Sequence, residues 1–505
     1  MTDPDVVVPK APSRAETVIG VGALAIGLVA TLVVFRNLRH DDAFICFQYA
    51  RNLGSGRGLV FNPGERVFGF TSPLDVLVLA AVYSIFGDVL PTAATVLGSL
   101  SLAAQALFLY LLLRPRSIPL AAAVSSLTFA GLAGAHSWLA LETNLFAALV
   151  LATVWALERR WPIRAGLLLG LTFLCRYDGA LLVPVAVALL VRVGRREVLS
   201  VLVVALAVVA PWLVFSTVYF GSCLPHTLFA KHDLTPFGAY LSHYLSLFAA
   251  DPWRLVPSAQ LSAWLTRVTP LLWVTGLVYV WLYSRRLLGW VVFCVGLLLA
   301  YALIGARSVQ HWHMYTVELA SLVLVLLGTL GWIERVRRFR VAGLAWGGVG
   351  LGLLAAVAAY ADAPSLRESF WLGQRDHYYR DISSWYLEHL RPGQSFLSAE
   401  VGTLGYLTGA RMIDPYGLIN ETNDYPATTS LQSFMGVAQF FQPQVLLVNS
   451  LETGLQIEAH TGYRVVKVFA WQKPWSTLLI KEASALAAPG ELEELHAAAM
   501  SGLSP

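Results

Sequence analysis

The sequence predicts an α-helical polytopic membrane protein with about eleven transmembrane helices and a small extracytoplasmic α/β domain at its C-terminus. Three observations carry this. Of 505 residues, 57% are hydrophobic and 13% charged, where an ordinary soluble domain carries about 25% charged residues. The apolar residues fall in runs that match the ~20 residues needed to span a bilayer. The charge is also divided, net +10 over residues 1–361 and −6 over 362–505. Residues 1–361 therefore read as the membrane unit and 362–505 as a separate acidic one. A soluble enzyme, a disordered chain and a disulfide scaffold are poor readings. No nucleic-acid module or long basic arm is present, so no nucleic-acid partner is expected.

Taken in order, the first apolar run, Val18–Phe35, is long enough to span and lacks a small-residue cleavage site, so it is expected to stay as a signal anchor. Spans are expected at 17–35, 91–113, 117–135, 138–157, 198–219, 269–284, 287–304, 313–333 and 341–361. The stretch 163–192 reads as two short spans joined by the turn Arg176-Tyr177-Asp178-Gly179. The piece 74–87 is only about 14 residues long, which suits an interfacial or re-entrant helix. Charge bias arbitrates. If it does not cross, Lys10, Arg14, Arg114, Arg116, Arg159, Arg160, Arg164, Arg192, Arg195, Arg196, Arg285, Arg286, Arg335, Arg337, Arg338 and Arg340 all fall on one side. That side is cytoplasmic by the positive-inside rule. The loop 36–73, the Glu142 region, the Arg176–Asp178 turn, the long loop 220–268 and Arg307–His313 then face outside. Ionisable groups at membrane level are costly and mark working sites.

The tail reads as a short helix at Tyr378–Leu390 with strand-like runs at Ser395–Ala399, Met412–Asp414, Val445–Val448, Tyr463–Phe469 and Ser476–Ile480, followed after about Ala483 by a surface helix or loose end. The four cysteines have no CxxC or metal spacing. Cys175 and Cys294 read as core residues, and a Cys46–Cys223 bridge is conceivable but not favoured.

The first outside loop carries adjacent carboxylates, Asp41 and Asp42. One such group can take a proton from an acceptor hydroxyl while the other orients it or shares a divalent cation, Mg, Mn or Ca. The alternative is that both cap a short helix starting at Ala43. Arg39, Arg51, Arg57 and Arg66 are either interfacial anchors or partners of an anionic lipid phosphate. Glycine-rich turns at Gly54, Gly56, Gly58 and Gly64 let backbone approach a ligand.

The run HDDAFICFQYARNLGSGRGLVFNPGERVFGFTSPL, His40 to Leu74, resembles the first periplasmic loop of GT-C glycosyltransferases that take sugars from polyprenyl-phosphate donors. It is closest to actinobacterial arabinofuranosyltransferases that add terminal β-arabinofuranose from decaprenylphosphoryl-arabinose. Leu141-Glu142-Thr143-Asn144 resembles that family's METxLF piece, Arg176-Tyr177-Asp178-Gly179 its RPDG piece, and the run Gly221 to Lys231 its GxxLPNTxxAK piece. Gly402–Tyr406 and Ile413–Leu418 are similar too. Tyr177 stands in place of a usual Pro and His226 in place of a usual Asn.

The resemblance implies inverting transfer to a hydroxyl, with polyprenyl phosphate leaving. Asp41 is the first expectation for the base and Asp42 for its orienting or metal-sharing partner, the division between them open. Glu142 is expected either to hold the acceptor sugar or to pair with an arginine. Arg176 and Asp178 are expected to hold substrate or, the stronger reading, to bridge each other. Arg51 is a further substrate-binding candidate. Lys231 is expected at the donor phosphate, with His226, Arg307 and His311 as further contacts; an interfacial belt around Trp312 is the alternative for the latter two. His311 and His313 are two apart and do not share a helix face. Glu318, deeper in its span, needs a partner.

No Walker or Rossmann glycine motif is present, and nucleotide sugars are not found outside the cytoplasmic membrane. A lipid-linked donor fits, its prenyl tail expected along 74–87 and 236–250, with a cell-envelope glycan as acceptor and membrane lipids as surroundings. A transferase for another sugar or for a protein or lipid acceptor, a flippase or transporter of lipid-linked saccharides, and an assembly scaffold are the competing classes.

Overall fold

The structure is a computed structural model describing residues 40–131, 139–227, 237–253, 258–304, 311–337, 364–420, 431–469, 476–481, 486 and 488–501. The expected spans 17–35 and 341–361, and Arg39, Lys231 and Arg307, lie outside the described residues. Among the described residues five helices are long and apolar enough to cross a membrane: Leu90–Leu113, Arg195–Phe220, Ala259–Tyr283, Arg285–Leu303 and Trp312–Arg335. Shorter apolar helices include Leu120–Phe129, Thr143–Glu158 and Pro162–Cys175.

These helices associate by close approach, because lipid tails offer no hydrophobic drive between them. Gly166 and Gly170, four apart on Pro162–Cys175, lie so near Arg195–Phe220 that a Cβ on either would run into Val201 or Val208. The region expected as a loop, 220–268, differs from expectation. It holds the helix Phe237–Ala250, and Ala259–Tyr283 starts ten residues before the predicted span. Ser258 caps the latter through Leu261 N–H, and the apolar residues between Leu261 and Leu271 extend it upward. Between Pro162–Cys175 and Leu182–Leu190, Arg176 is extended and Tyr177–Leu181 is a 3-10 turn. The turn runs directly into the helix, so the second half of 163–192 is the short apolar helical piece Tyr177–Leu190.

The bundle has two chemically different ends. Arg116 and Arg335 both lie over the Tyr283 ring, at 5.0 and 5.1 Å, and Ser117 donates to Glu334. Leu90–Leu113, about 36 Å long, separates that end from Asp88, which accepts a hydrogen bond from Tyr406 of the C-terminal unit. Pro73–Phe86 has both ends near the Asp88 end: Asp75 at its start interacts electrostatically with Glu142, and Asp88 follows its finish. Asp75, Val76, Leu79 and Ala80 are buried on one side, while Leu77, Val78, Ile85 and Phe86 are exposed.

The C-terminal unit opens with the helix Pro364–His389 and forms a five-stranded sheet. Its strands are β1 (Ser395–Leu397), β2 (Arg411–Ile413), β3 (Val445–Val448), β4 (Arg464–Phe469) and β5 (Ser476–Ile480), in the order β2-β1-β3-β5-β4. β1 runs parallel to β2 and β3, while β5 runs antiparallel to β3 and β4. β3 and β5 are buried throughout, as continuous apolar runs covered on both faces should be. The last helix, Leu492–Ser501, buries no residue.

What joins the two units is the segment His40–Ser72. Its helix, Asp41–Gly54, has ten buried residues among fourteen because it is packed between Pro73–Phe86 and the helix Gly402–Thr408. Asn52 holds the carbonyls of Val60 and Phe61, and Tyr49 that of Val67, folding the loop back over the helix. Phe44 and Phe47 meet the Tyr406 ring at 5.3 and 6.2 Å, edge to face. The Arg51 guanidinium lies 4.1 Å from that ring's centre and donates to the Tyr406 carbonyl at 2.9 Å. Burial and the Asp88 hydrogen bond hold the Tyr406 phenol above its ordinary range, so it stays a donor. The Asn62 amide donates to the Met412 carbonyl at 2.8 Å and accepts from its N–H at 3.0 Å, completing the outer edge of β2. Glu65 pairs with Arg411.

The helix Gly402–Thr408 has no side-chain cap of its own at Val401. Asp41, 7% exposed, supplies one from 361 residues away: its carboxylate accepts from Gly402 N–H at 3.1 Å and Thr403 N–H at 2.7 Å. These are two of the four donors a helix start leaves open, and the carboxylate also meets the positive end of the helix. A side chain at Gly402 would collide with the Asp41 backbone. Gly402→Ala is expected to cost about 1–3 kcal/mol as overpacking, read as a lower melting temperature of the detergent-purified protein, with Gly462→Ala, at an exposed bend of the same unit with open space around it, as the comparison.

Candidate active site

Where the segment His40–Ser72 meets the bundle, the chain gathers several of its scarce charges. His40 is extended, and its Nδ1 accepts from Asp42 N–H at 3.3 Å, so His40 caps the helix and both aspartates stand in its first turn. The alternative, that Asp41 and Asp42 cap a helix from Ala43, does not hold: they are inside the helix, and Asp41 caps a different one. Asp42 is half-buried, and its carboxylate makes no hydrogen bond or ion pair among the described residues. His40 packs on Trp312 at 4.4 Å, and Trp312 stacks on His313, which brings the start of His311–Leu326 to the loop.

Opposite Asp42 is a buried ionic cluster. The Arg176 guanidinium, 3% exposed, grips Asp178 in a two-point bridge at 3.2 and 2.6 Å. It also donates to Tyr301 Oη and the His313 carbonyl at 3.3 and 3.4 Å, lies 4.0 Å from Glu142 Oε1, and covers the Phe146 ring at 4.8 Å. Tyr301 returns a hydrogen bond to Asp178 at 3.0 Å. Glu142 is drawn toward Arg176 and repelled by Asp178 and Asp42. Both bridging readings, Arg176–Asp178 and Glu142–Arg176, thus have a geometric basis. Desolvated charges of this kind hold only when paired.

Tyr177, where the resemblance has Pro, accepts from Trp212 Nε1 at 2.9 Å and donates to the Cys223 carbonyl at 3.2 Å. The His226 N–H bonds to the Phe68 carbonyl at 2.8 Å. The stretch Gly221–Thr227 is thereby tied both to the Arg176 turn and to the first loop, and it leads toward Lys231. Nothing is described of the His311 side chain. Arg51 lies in the clamp to Tyr406, not in the ionic cluster. Glu318 is 6% exposed and interacts electrostatically with Tyr244 and Tyr315; Tyr315 donates to Gln105, which in turn donates to Asn144. All four cysteines are free, Cys46 buried and Cys223 exposed.

Among the described residues no group of three His, Cys, Asp or Glu could hold a metal ion. Each Asp41 oxygen accepts one backbone amide.

Two residues here are missed by the sequence reasoning. Tyr301 gives no local signal. Asp75, 4% exposed and acting on Glu142, Cys46 and Cys175, does: it is a lone carboxyl in the apolar run PLDVLVLAAV.

The family model described as "Domain of unknown function (DUF8728)" matches residues 368–486, the C-terminal unit. No curated protein matches the chain in sequence. Among solved structures, ArnT from Cupriavidus metallidurans in the apo state is similar with a TM-score of 0.61 and 16% identity, covering 94% of this chain and 99% of that one. The same ArnT bound to undecaprenyl phosphate gives 0.60 and 14% over the same shares. The Archaeoglobus fulgidus oligosaccharyltransferase tethered with an acceptor peptide gives 0.51 and 12%, over 92% of this chain and 74% of that one. At these identities the likeness is one of fold, shared over nearly the whole chain.

Removing the guanidinium leaves buried carboxylates unpaired, a loss of about 3–5 kcal/mol. Arg176→Met is expected to lower folded yield and melting temperature sharply, whereas Arg176→Met with Asp178→Asn recovers part of both. Equal melting of the single and double variants would show that the bridge is not what the turn rests on.

Proposed function

We propose that this protein is a membrane glycosyltransferase that moves a sugar from a polyprenyl-phosphate donor to a cell-envelope glycan on the outer face of the cytoplasmic membrane, with inversion, and that the sugar is arabinofuranose. The observation that carries the reading is Asp42. It is a half-buried carboxylate in a mouth lined by buried ionic groups, and no described residue engages it. The fold supports the reaction class, since its solved relatives include ArnT bound to undecaprenyl phosphate. The first-loop resemblance supports the sugar.

In this reading the acceptor hydroxyl attacks the anomeric carbon. Its proton passes to an Asp42 oxygen, the bond from the anomeric carbon to the phosphate oxygen breaks, and polyprenyl phosphate leaves. Asp42 is assigned the base because its partner Asp41 is held by Gly402 and Thr403; Asp41 is a positioning residue that orients the first helical turn. Arg176 and Asp178 keep Glu142 and the turn rigid. Lys231, Arg307, His311 and His226 are proposed for the leaving phosphate, where cationic donors stabilise developing charge. No step is routed through a metal. Eleven crossings, a membrane unit 1–361 and an extracytoplasmic unit 362–505 belong to this proposal. The Arg-rich end opposite the C-terminal unit supports that orientation through the positive-inside rule.

The test is transfer from synthetic decaprenylphosphoryl-arabinofuranose to an arabinofuranose oligosaccharide by the purified protein in nanodiscs. Asp42→Asn is expected to reduce kcat about 10²–10⁴-fold, the usual worth of a general base, with melting unchanged. Asp41→Asn is expected to lower the melting temperature, because its amide presents a donor where Gly402 or Thr403 also donates. Full activity in Asp42→Asn would remove the base assignment. A wild-type protein inactive with every polyprenyl-phosphate sugar tried would instead favour a transporter of lipid-linked saccharides.

A further inference from the structure

Asp75 occupies the third position of the helix Pro73–Phe86, where an acidic side chain ordinarily turns back to bond the N-cap amide. It does not do so here. Ser72, the N-cap residue, makes no side-chain cap bond, and its hydroxyl lies 3.4 Å from Cys46 Sγ instead. Among the described residues Asp75 accepts no hydrogen bond and joins no ion pair, although it is only 4% exposed. Its neighbours are better served. Asp41 has two amides, Asp178 has Arg176 and Tyr301, and Glu142 has Arg176. A buried acceptor without a donor costs roughly 1–3 kcal/mol.

Thr143, the residue after Glu142, is a second and chemically different orphan. It is 1% exposed, and its hydroxyl has no hydrogen-bond partner among the described residues. Asp75 and Asp42 both act on Glu142 and on Cys46, so the unsatisfied acceptors share the region of the candidate base. Carboxyl groups cluster there, Asp42, Asp75, Glu142 and Asp178 around the one guanidinium of Arg176, and burial raises the Asp75 carboxyl to about 8. Such a cluster suits a ligand rich in hydroxyls, which a sugar ring is.

We propose that Asp75 is a sugar-binding residue: with Glu142 it accepts hydrogen bonds from adjacent hydroxyls of a neutral sugar ring seated beside Asp42, and so selects hydroxylated rings over deoxy ones. This rests on the glycosyltransferase reading above for the ring's role, and the ring belongs to the acceptor or to the donor. A site built to bond a hydroxyl discriminates strongly against the analogue that lacks it, because its own polar group is then left unpaired.

The experiment measures binding rather than turnover, so that it stands or falls separately from the transfer assay. Octyl arabinofuranoside, its monodeoxy analogues and a farnesylphosphoryl-arabinofuranose donor mimic are titrated against nanodisc-embedded wild type, Asp75→Asn and Asp75→Glu, with melting temperatures recorded. Asp75→Asn is expected to weaken one of the two sugar probes about tenfold or more while melting is kept. The octyl glycoside losing affinity assigns the ring to the acceptor, and the donor mimic losing affinity assigns it to the donor. One deoxy analogue should bind wild type as weakly as the parent sugar binds Asp75→Asn, with no further loss when the two changes are combined. If Asp75→Asn misfolds, the same comparison is read in Asp75→Glu. Unchanged affinity for both probes, additive losses with every deoxy analogue, or no binding of either probe to wild type overturns the proposal. Asp75-dependent binding without transfer would overturn the enzymatic reading and leave the sugar site standing.

Discussion

A single carboxylate holds the two units in register. Asp41 lies at the start of one helix and binds the start of another, Gly402–Thr408, which has no cap of its own. Because the carboxylate is buried, the geometry is narrow: a side chain at Gly402 has no room, and the ring of Tyr406 one turn on sets against Phe44, Phe47 and Arg51. The first turn of Asp41–Gly54 is thereby fixed relative to the α/β sheet. Asp42, the next residue, is presented to the mouth by a backbone that cannot swivel.

The same economy governs the ionic cluster. Arg176 is held by groups from three separate stretches of chain, the turn, Tyr301 and the His313 carbonyl. In a dry surrounding each partner is needed, since an unpaired buried charge costs several times what an exposed ion pair returns. The contrast with Asp75, buried and without a donor, is what makes that residue informative. Among the described residues the other buried carboxyls of this region have partners, and a buried polar group without one suits a hydroxyl supplied by a ligand.

Much of this was legible in the order of residues. The GSGRGLVFNPGERVFGFTSPL stretch carries its own folding instructions in part: Asn52 and Tyr49 lie three apart, on one helix face, and pin the loop that follows. The Arg176-Tyr177-Asp178-Gly179 interruption of an apolar run marks a turn because charge cannot lie in lipid unpaired. The strand-like runs of the tail fall on the observed strands, Val445–Val448 and Ser476–Ile480 to the residue. The long loop 220–268 was misread because its helix Phe237–Ala250 is rich in Tyr, His and Ser, and hydropathy alone does not separate a surface helix from a loop. Asp75 was passed over because its neighbours are apolar and drew attention to the membrane instead.

Composition and spacing by themselves pointed to a membrane protein, to the apolar helices seen among the described residues, and to a scarcity of charge. These are properties of neighbouring residues: an apolar run, a turn, a charge asymmetry. Which of two adjacent aspartates is left unengaged was decided only by the tertiary structure, because the amides that engage Asp41 lie 361 and 362 residues away. The scarcity of charge was visible along the chain. Its division into groups that hold the fold and groups that remain open to a substrate depends on long-range hydrogen bonds, which no local pattern records.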